Sequence, residues 1–360
     1  MAVILSARRT AVVPKGGAFA RLSLEDMAVP VLRACLTDAG LAAVDEVICA
    51  NAIGPGGNPA RRLVLAAGLP DAVAGLTIDR QCAGGLDALL LAAALVDSGQ
   101  SDLVLAGGVE SYSRRPLRYA TDPDGGAPEP YDEAPFTPWP GRNPAMADAA
   151  ADLAKAWGFD RAAQEAWAMD SHAKALAAAD LPEIVPMAGL ARDAFARRLT
   201  PALLARAPVV AGSITRATAA VAADGAAFCL VAADRFAGPA AMRILGGRTI
   251  GADPEQPGLA PIPAIAAALR AAGLTVGSVT QAEVMEAYAT QAMACVTGAG
   301  LDPARVNLQG GALARGHPIG ASGAILAVHL FHALRDGVGL AAIASAGGIG
   351  TAVLFTRSGA

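Results

Sequence analysis

"CAGGLDALLLAAALVDSGQSDLVLAGGVE", residues 82–110, decides how the rest of the chain is read. Two glycines open a run in which Ala88 to Val96 is wholly apolar, so the predicted helix has no polar face and must be covered on every side. A polar connection then leads into an apolar strand that ends Ala-Gly-Gly. The same order returns about 230 to 240 residues later, where "GHPIGASGAILAVHLFHALRDG" (316–337) precedes "GLAAIASAGGIG" (339–350). The segments upstream echo too: "DAGLAAVDEVICANAIG" (38–54) matches "AAGLTVGSVTQAEVMEAYAT" (271–290) in a helix end at Ala-Gly-Leu, a short connection and a strand beginning Glu-Val. Strand, Gly turn, buried helix, strand is the pattern of parallel βαβ units, and its recurrence predicts an α/β protein of two similar halves.

Composition bounds the function. A chain of 360 residues at 54% hydrophobic and 4% aromatic builds its interior from Ala, Val, Leu and Ile. The net charge of −4 and scattered arginines give no basic stripe, which excludes nucleic acid as a partner. No apolar run approaches the 18 or so residues of a membrane span, and "MAVILSARRTAVV" reads as a strand rather than a signal peptide, so a cytoplasmic protein without membrane association is expected. Five widely spaced cysteines without C-x-x-C indicate neither a disulfide framework nor a metal site.

The first half is predicted to comprise residues 1–115 and 208–241, closing on a strand at "AAFCLVAA". An inserted domain occupies 116–207, and the second half runs from 242 to 360. The insertion begins in "SRRPLRYATDPDGGAPEPYDEAPFTPWPGRNP" (113–144), whose Pro, Gly and acidic residues lack periodicity and predict a loop. A helix capped by Asp160 follows, to about Ala179.

Two residues stand where the halves correspond. Cys82 lies at the start of the first buried helix, where free backbone N–H groups and the helix dipole lower a thiol pKa. His317 sits in "GGALARGHPIGASGA", a tight backbone path at the start of the second. Such a pair suits covalent acyl transfer, with a thiolate nucleophile, an imidazole base or donor, and backbone amides for the oxyanion. Cys35, Cys49, Cys229 and Cys295 read as core residues, and His172, His329 and His332 as packed or solvated.

With "NPARRLVLAAGLP", "QCAGGLDA", "LVLAGGVESYSRRP", "DRAAQEAWAMDSHAKALAA", "EIVP", "APIPA", "EAYATQA" and "GGALARGHPIGASGA" in order along nearly the whole chain, the sequence resembles the thiolases, which transfer acyl groups between coenzyme A thioesters. The resemblance implies a five-layered αβαβα fold from two duplicated halves with an inserted loop domain. It implies an acyl group carried on Cys82, activation by His317, and turn backbone at Ala346 and Gly347 binding the oxyanion. Met146, Met285, Pro318 and Ala344 are implied as pocket residues. The substrate would be an acyl-CoA with no permanently bound cofactor and no metal, and the assembly a homodimer or homotetramer.

Four replaced residues and a shortened loop domain qualify it. Ala344 stands where the family has its acid/base cysteine and Met285 where it has an oxyanion-hole asparagine. Ala145 and Ala220 replace a His and a Ser, and the loop domain is shortened between Pro186 and Pro208. Acyl loading is thus expected to survive better than carbon–carbon bond chemistry. A thiolase-like subunit without turnover, working with a second protein as an acyl-binding partner, and a ketoacyl-synthase-like condensing enzyme are the competing readings.

Overall fold

The computed structural model describes residues 1–178 and 181–357. Nine strands follow one another across the main sheet. In chain order they are β1 (Val3–Arg9), β2 (Glu46–Ala50), β3 (Ala74–Ile78), β4 (Leu103–Glu110), β5 (Ala223–Ala232), β6 (Met242–Gly251), β7 (Val279–Val284), β8 (Gly337–Ser345) and β9 (Ile349–Arg357). Their spatial order is β7-β8-β9-β6-β1-β5-β4-β2-β3. The pairs β2/β3, β2/β4 and β7/β8 are parallel, and the remainder antiparallel. The order 2-4-5-1 in one half repeats as 7-8-9-6 in the other, a structural duplication. The echoed motifs nevertheless fall out of register: Glu46-Val47 opens β2 whereas Glu283-Val284 closes β7, and Ala106-Gly107-Gly108 lies inside β4 whereas Ala346-Gly347-Gly348 forms the turn after β8. The two half-sheets pair through Val3 with Arg243 and Ile4 with Met242.

Two helices explain why the apolar runs have no polar face. α2 (Gly84–Asp97) and α7 (Ile319–Ala333) lie side by side between the two half-sheets, each touching strands of both. Their common core includes Leu86, Leu89, Ile325, Val328, Ile343 and Phe355. Outside one half-sheet lies α1 (Leu24–Ala39), started by a reciprocal Ser23/Asp26 capping box and stopped by Gly40 in the left-handed region. Outside the other lie α5 (Pro261–Ala271) and α6 (Ala289–Ala299). Separate apolar cores fill these outer interfaces, giving five layers, αβαβα.

The central helices approach too closely for side chains at their crossing. A Cβ on Gly85 would meet the Ala324 nitrogen at 2.7 Å, and one on Gly323 the Leu86 nitrogen at 2.4 Å. This contact brings the starts of α2 and α7 to one place.

The segment between β4 and β5 leaves the main sheet and returns to it at Ile184, which bridges Arg9 of β1. It contains a short hairpin (Arg118–Ala120 with Glu129–Tyr131), then α3 (Met146–Trp157) and α4 (Arg161–Ala177), the latter capped by Asp160. The expected end of α4 near Ala179 falls outside the described residues. No helix among the described residues is long and apolar enough to cross a membrane, and none of their His, Cys, Asp and Glu side chains cluster as a metal site.

Candidate active site

Cys82 is reached through a strained backbone. Gln81 has φ +47°, a region non-glycine residues enter at a cost of roughly 1–3 kcal/mol. Asp79 holds it there, accepting from the Gln81 backbone nitrogen at 2.8 Å and from its side-chain amide at 3.0 Å. The turn lifts Cys82 off the strand end and sets it before α2. The other four cysteines are fully buried, whereas Cys82 is only partly so.

His317 is held from both sides of its ring and by its backbone. Its N–H donates to the Val221 carbonyl at 2.8 Å. The Ser322 hydroxyl donates to the Pro318 carbonyl at 3.0 Å and therefore accepts, at 2.6 Å, from Nδ1–H of His317. That fixes the tautomer: Nε2 carries the lone pair, and it lies 3.1 Å from Cys82 Sγ across 235 positions of sequence.

Burial controls the charge of this pair. It pushes the Cys82 thiol up to about 12, with Glu110 and Asp79 adding to the rise, although the backbone N–H groups of Cys82 and Ala346 aim at Sγ and oppose it. It pushes His317 down to about 4. The depressed thiol expected from the helix start is therefore corrected: desolvation outweighs the amides. At neutral pH the pair is a thiol donating to a neutral imidazole.

Both side chains open onto a cavity of about 230 Å³. Met146, Ala344, Ala346 and Ala220 line it. Three sequence-predicted residues do not. Met285 is buried in the core between the half-sheets, because an apolar side chain at the end of β7 partitions inward. Pro318 caps the start of α7 with its carbonyl, and Gly347 forms the tight β8–β9 turn at φ +78°. Ala145 precedes α3 without a side-chain cap.

The cavity also includes residues that the sequence reading passed over, chiefly Tyr112, Glu133 and Tyr288. Tyr112 follows the Ala-Gly-Gly-Val-Glu strand end and Tyr288 replaces the family's Phe, so both lay within quoted motifs. Glu133 lies in the aperiodic loop and gave no signal.

Two carboxylates brace the site from behind. Glu110, at the end of β4, accepts from Asn51 Nδ2 (2.7 Å) and from the backbone nitrogens of Ala52 (2.9 Å), Ile53 (3.3 Å) and Gly320 (3.1 Å), tying the loop after β2 to the start of α7. Glu286 accepts from Trp167 Nε1 (3.0 Å), Ser171 Oγ (2.8 Å), Asn307 Nδ2 (3.0 Å) and the Leu313 nitrogen (3.1 Å).

Family models carry the comparison further. The thiolase N-terminal domain matches residues 2–235 and the thiolase C-terminal domain residues 239–357. The chain belongs to the thiolase family. It is similar to the Bacillus subtilis protein named "Putative acetyl-CoA C-acetyltransferase YhfS", with 36% identity covering 98% of both chains. With "Putative acetyl-CoA C-acetyltransferase VraB" of Staphylococcus aureus it shares 33% identity over 99% of each. Among solved structures it resembles the Acat5 thiolase of Ascaris suum in complex with coenzyme A, at 30% identity, TM-score 0.91 and 99% coverage of each chain. It also resembles the Bacillus anthracis acetyl-CoA acetyltransferase, at 31% identity and TM-score 0.90 over 99% of this chain and 98% of that one. This thiolase is an acyltransferase by family.

Proposed function

We propose that the protein is an acyl-CoA acyltransferase that carries the acyl group on Cys82, and that its carbon–carbon condensation and thiolysis are much slower than acyl loading. The observation that carries this reading is the 3.1 Å contact between Cys82 Sγ and the lone-pair nitrogen of His317, at a cavity where Ala344 offers no proton acceptor.

The loading step uses only groups that are present. As Sγ attacks the thioester carbonyl carbon, its proton moves to His317 Nε2. The oxygen of the acyl group now bonded to sulfur is received by the Cys82 and Ala346 N–H groups, which already face Sγ. His317 then returns the proton to the departing coenzyme A thiolate. Because thiol and imidazole both start uncharged, no buried ion pair exists before substrate arrives. Loss of a general acid/base costs roughly 100 to 10,000-fold, which falls on the α-carbon steps alone.

Intact-protein mass spectrometry after incubation with acetyl-CoA and longer acyl-CoAs tests the reading. A single acyl adduct that disappears in Cys82→Ala is expected; no adduct in the unmodified protein would overturn it. A subunit without turnover is the second reading, favoured by the apolar Ala344 and Ala220 in the cavity wall. It predicts binding without an adduct and co-purification with another chain. The free, mostly buried cysteines support a cytoplasmic setting, and the family resemblance supports a homodimer or homotetramer.

A further inference from the structure

Moving an acyl group from Cys82 to carbon needs a base for an α-proton. The titratable side chains lining the cavity are Cys82, Tyr112, Glu133, Tyr288 and His317. Cys82 and His317 are engaged with each other in acyl loading. Burial keeps both phenols protonated, with Tyr288 pushed up to about 12 and Tyr112 also raised. The Ser345 hydroxyl donates to the Arg80 carbonyl at 3.0 Å. Glu110 and Glu286 are each enclosed by four donors, and neither lines the cavity.

Glu133 is what remains. It is the one carboxylate lining the cavity, and among the described residues it makes no hydrogen bond or ion pair. Glu133, Tyr112, Tyr288 and Cys82 line the same cavity, and the Glu133 charge, like that of Cys82, raises both phenols. Neither phenol has a hydrogen-bond partner among the described residues, which leaves two neutral donors between them.

Building on the acyl-carrier reading, we propose that Glu133 is the catalytic base for the α-carbon of a second coenzyme A thioester, in the role left open at Ala344. The carboxylate takes the α-proton, and the C–H electron pair delocalises onto the thioester oxygen. The enolate carbon then attacks the acyl carbon on Cys82, a C–C bond forms and the C–S bond breaks. The released Cys82 thiolate recovers the proton from the Glu133 carboxyl. One acyl group has moved from sulfur to carbon with no oxidant or reductant. Carboxylates abstract protons next to carbonyls in enzymes of several folds.

Deuterium incorporation into the acetyl group of acetyl-CoA in D₂O isolates this step. The full-length protein is expected to catalyse exchange, Glu133→Gln to lower it roughly 100 to 10,000-fold, and Glu133→Asp to recover part of it. Glu129→Gln, on the neighbouring hairpin strand outside the cavity, should stay within about twofold and controls for charge in this segment. Absence of exchange in the unmodified protein, or equal exchange in Glu133→Gln, overturns the proposal. The Cys82 mass adduct, read on the same samples, separates the failures: an adduct without exchange defeats the base alone, whereas no adduct defeats the acyl carrier.

Discussion

The two walls of the cavity are built to different standards. One is made by the starts of α2 and α7, where Cys82 Sγ, His317 Nε2, the Ser322 relay and the Cys82 amide come together, joined across the cavity by the Ala346 amide that follows β8. The other, where the end of β8 meets the segment after β7, presents Ala344 and Ala287 and turns Met285 into the core. Backbone supplies much of the first wall and persists through side-chain replacement. The second wall presents methyl groups at Ala344 and Ala287, which neither donate nor accept a proton. A cavity between duplicated halves can thus be furnished by polar and backbone groups on one side and by apolar side chains on the other.

Removing the nucleophile breaks the stronger wall. Cys82→Ala should lower acyl transfer on the order of 10⁶-fold, to background, by coenzyme A release assays. His317→Ala follows at roughly 100 to 10,000-fold in the same assay. Ala344→Cys sharpens the contrast from the weaker wall, with a gain in acetoacetyl-CoA thiolysis of up to about 100-fold expected. Met285→Asn should give no such gain. It buries an amide in the apolar core and costs about 2–4 kcal/mol, read as a lower Tm. Ser322→Ala, which frees the ring to change tautomer, should slow acylation about tenfold, the worth of one hydrogen bond.

A pH series examines the same wall without mutation. With the Cys82 thiol up at about 12 and its reactive form the thiolate, iodoacetamide labelling should climb through pH 6–10 by about tenfold per unit without a plateau. Cys82 should label before the other four cysteines. A plateau near neutral pH would show that the helix start prevails over burial.

How much of this could be read beforehand follows from where the signals lie. The Cys82–His317 pairing was legible because each residue opens a helix with no polar face, and two such helices in duplicated halves have to pack together. The Gln81 strain and the Ser322 relay were not, since neither alters a hydrophobic pattern. Met285 was misplaced because a neighbour's identity says nothing about which way a side chain turns: Ala287 and Tyr288 face the cavity and Met285 does not. The thiol shift was read with the wrong sign because a sequence shows the helix start but not the depth of burial that opposes it. Glu133 lies in a stretch whose path only tertiary contacts define.

The glycine crossing of α2 and α7 bears on how the chain is made. Cys82 leaves the ribosome more than two hundred residues before His317, so the nascent first half holds its thiol with no imidazole to take the proton. Gly85 and Gly323 bring the partners within reach only when the second half docks against the first. The Cys82–His317 contact is thus assembled only once both halves have been made.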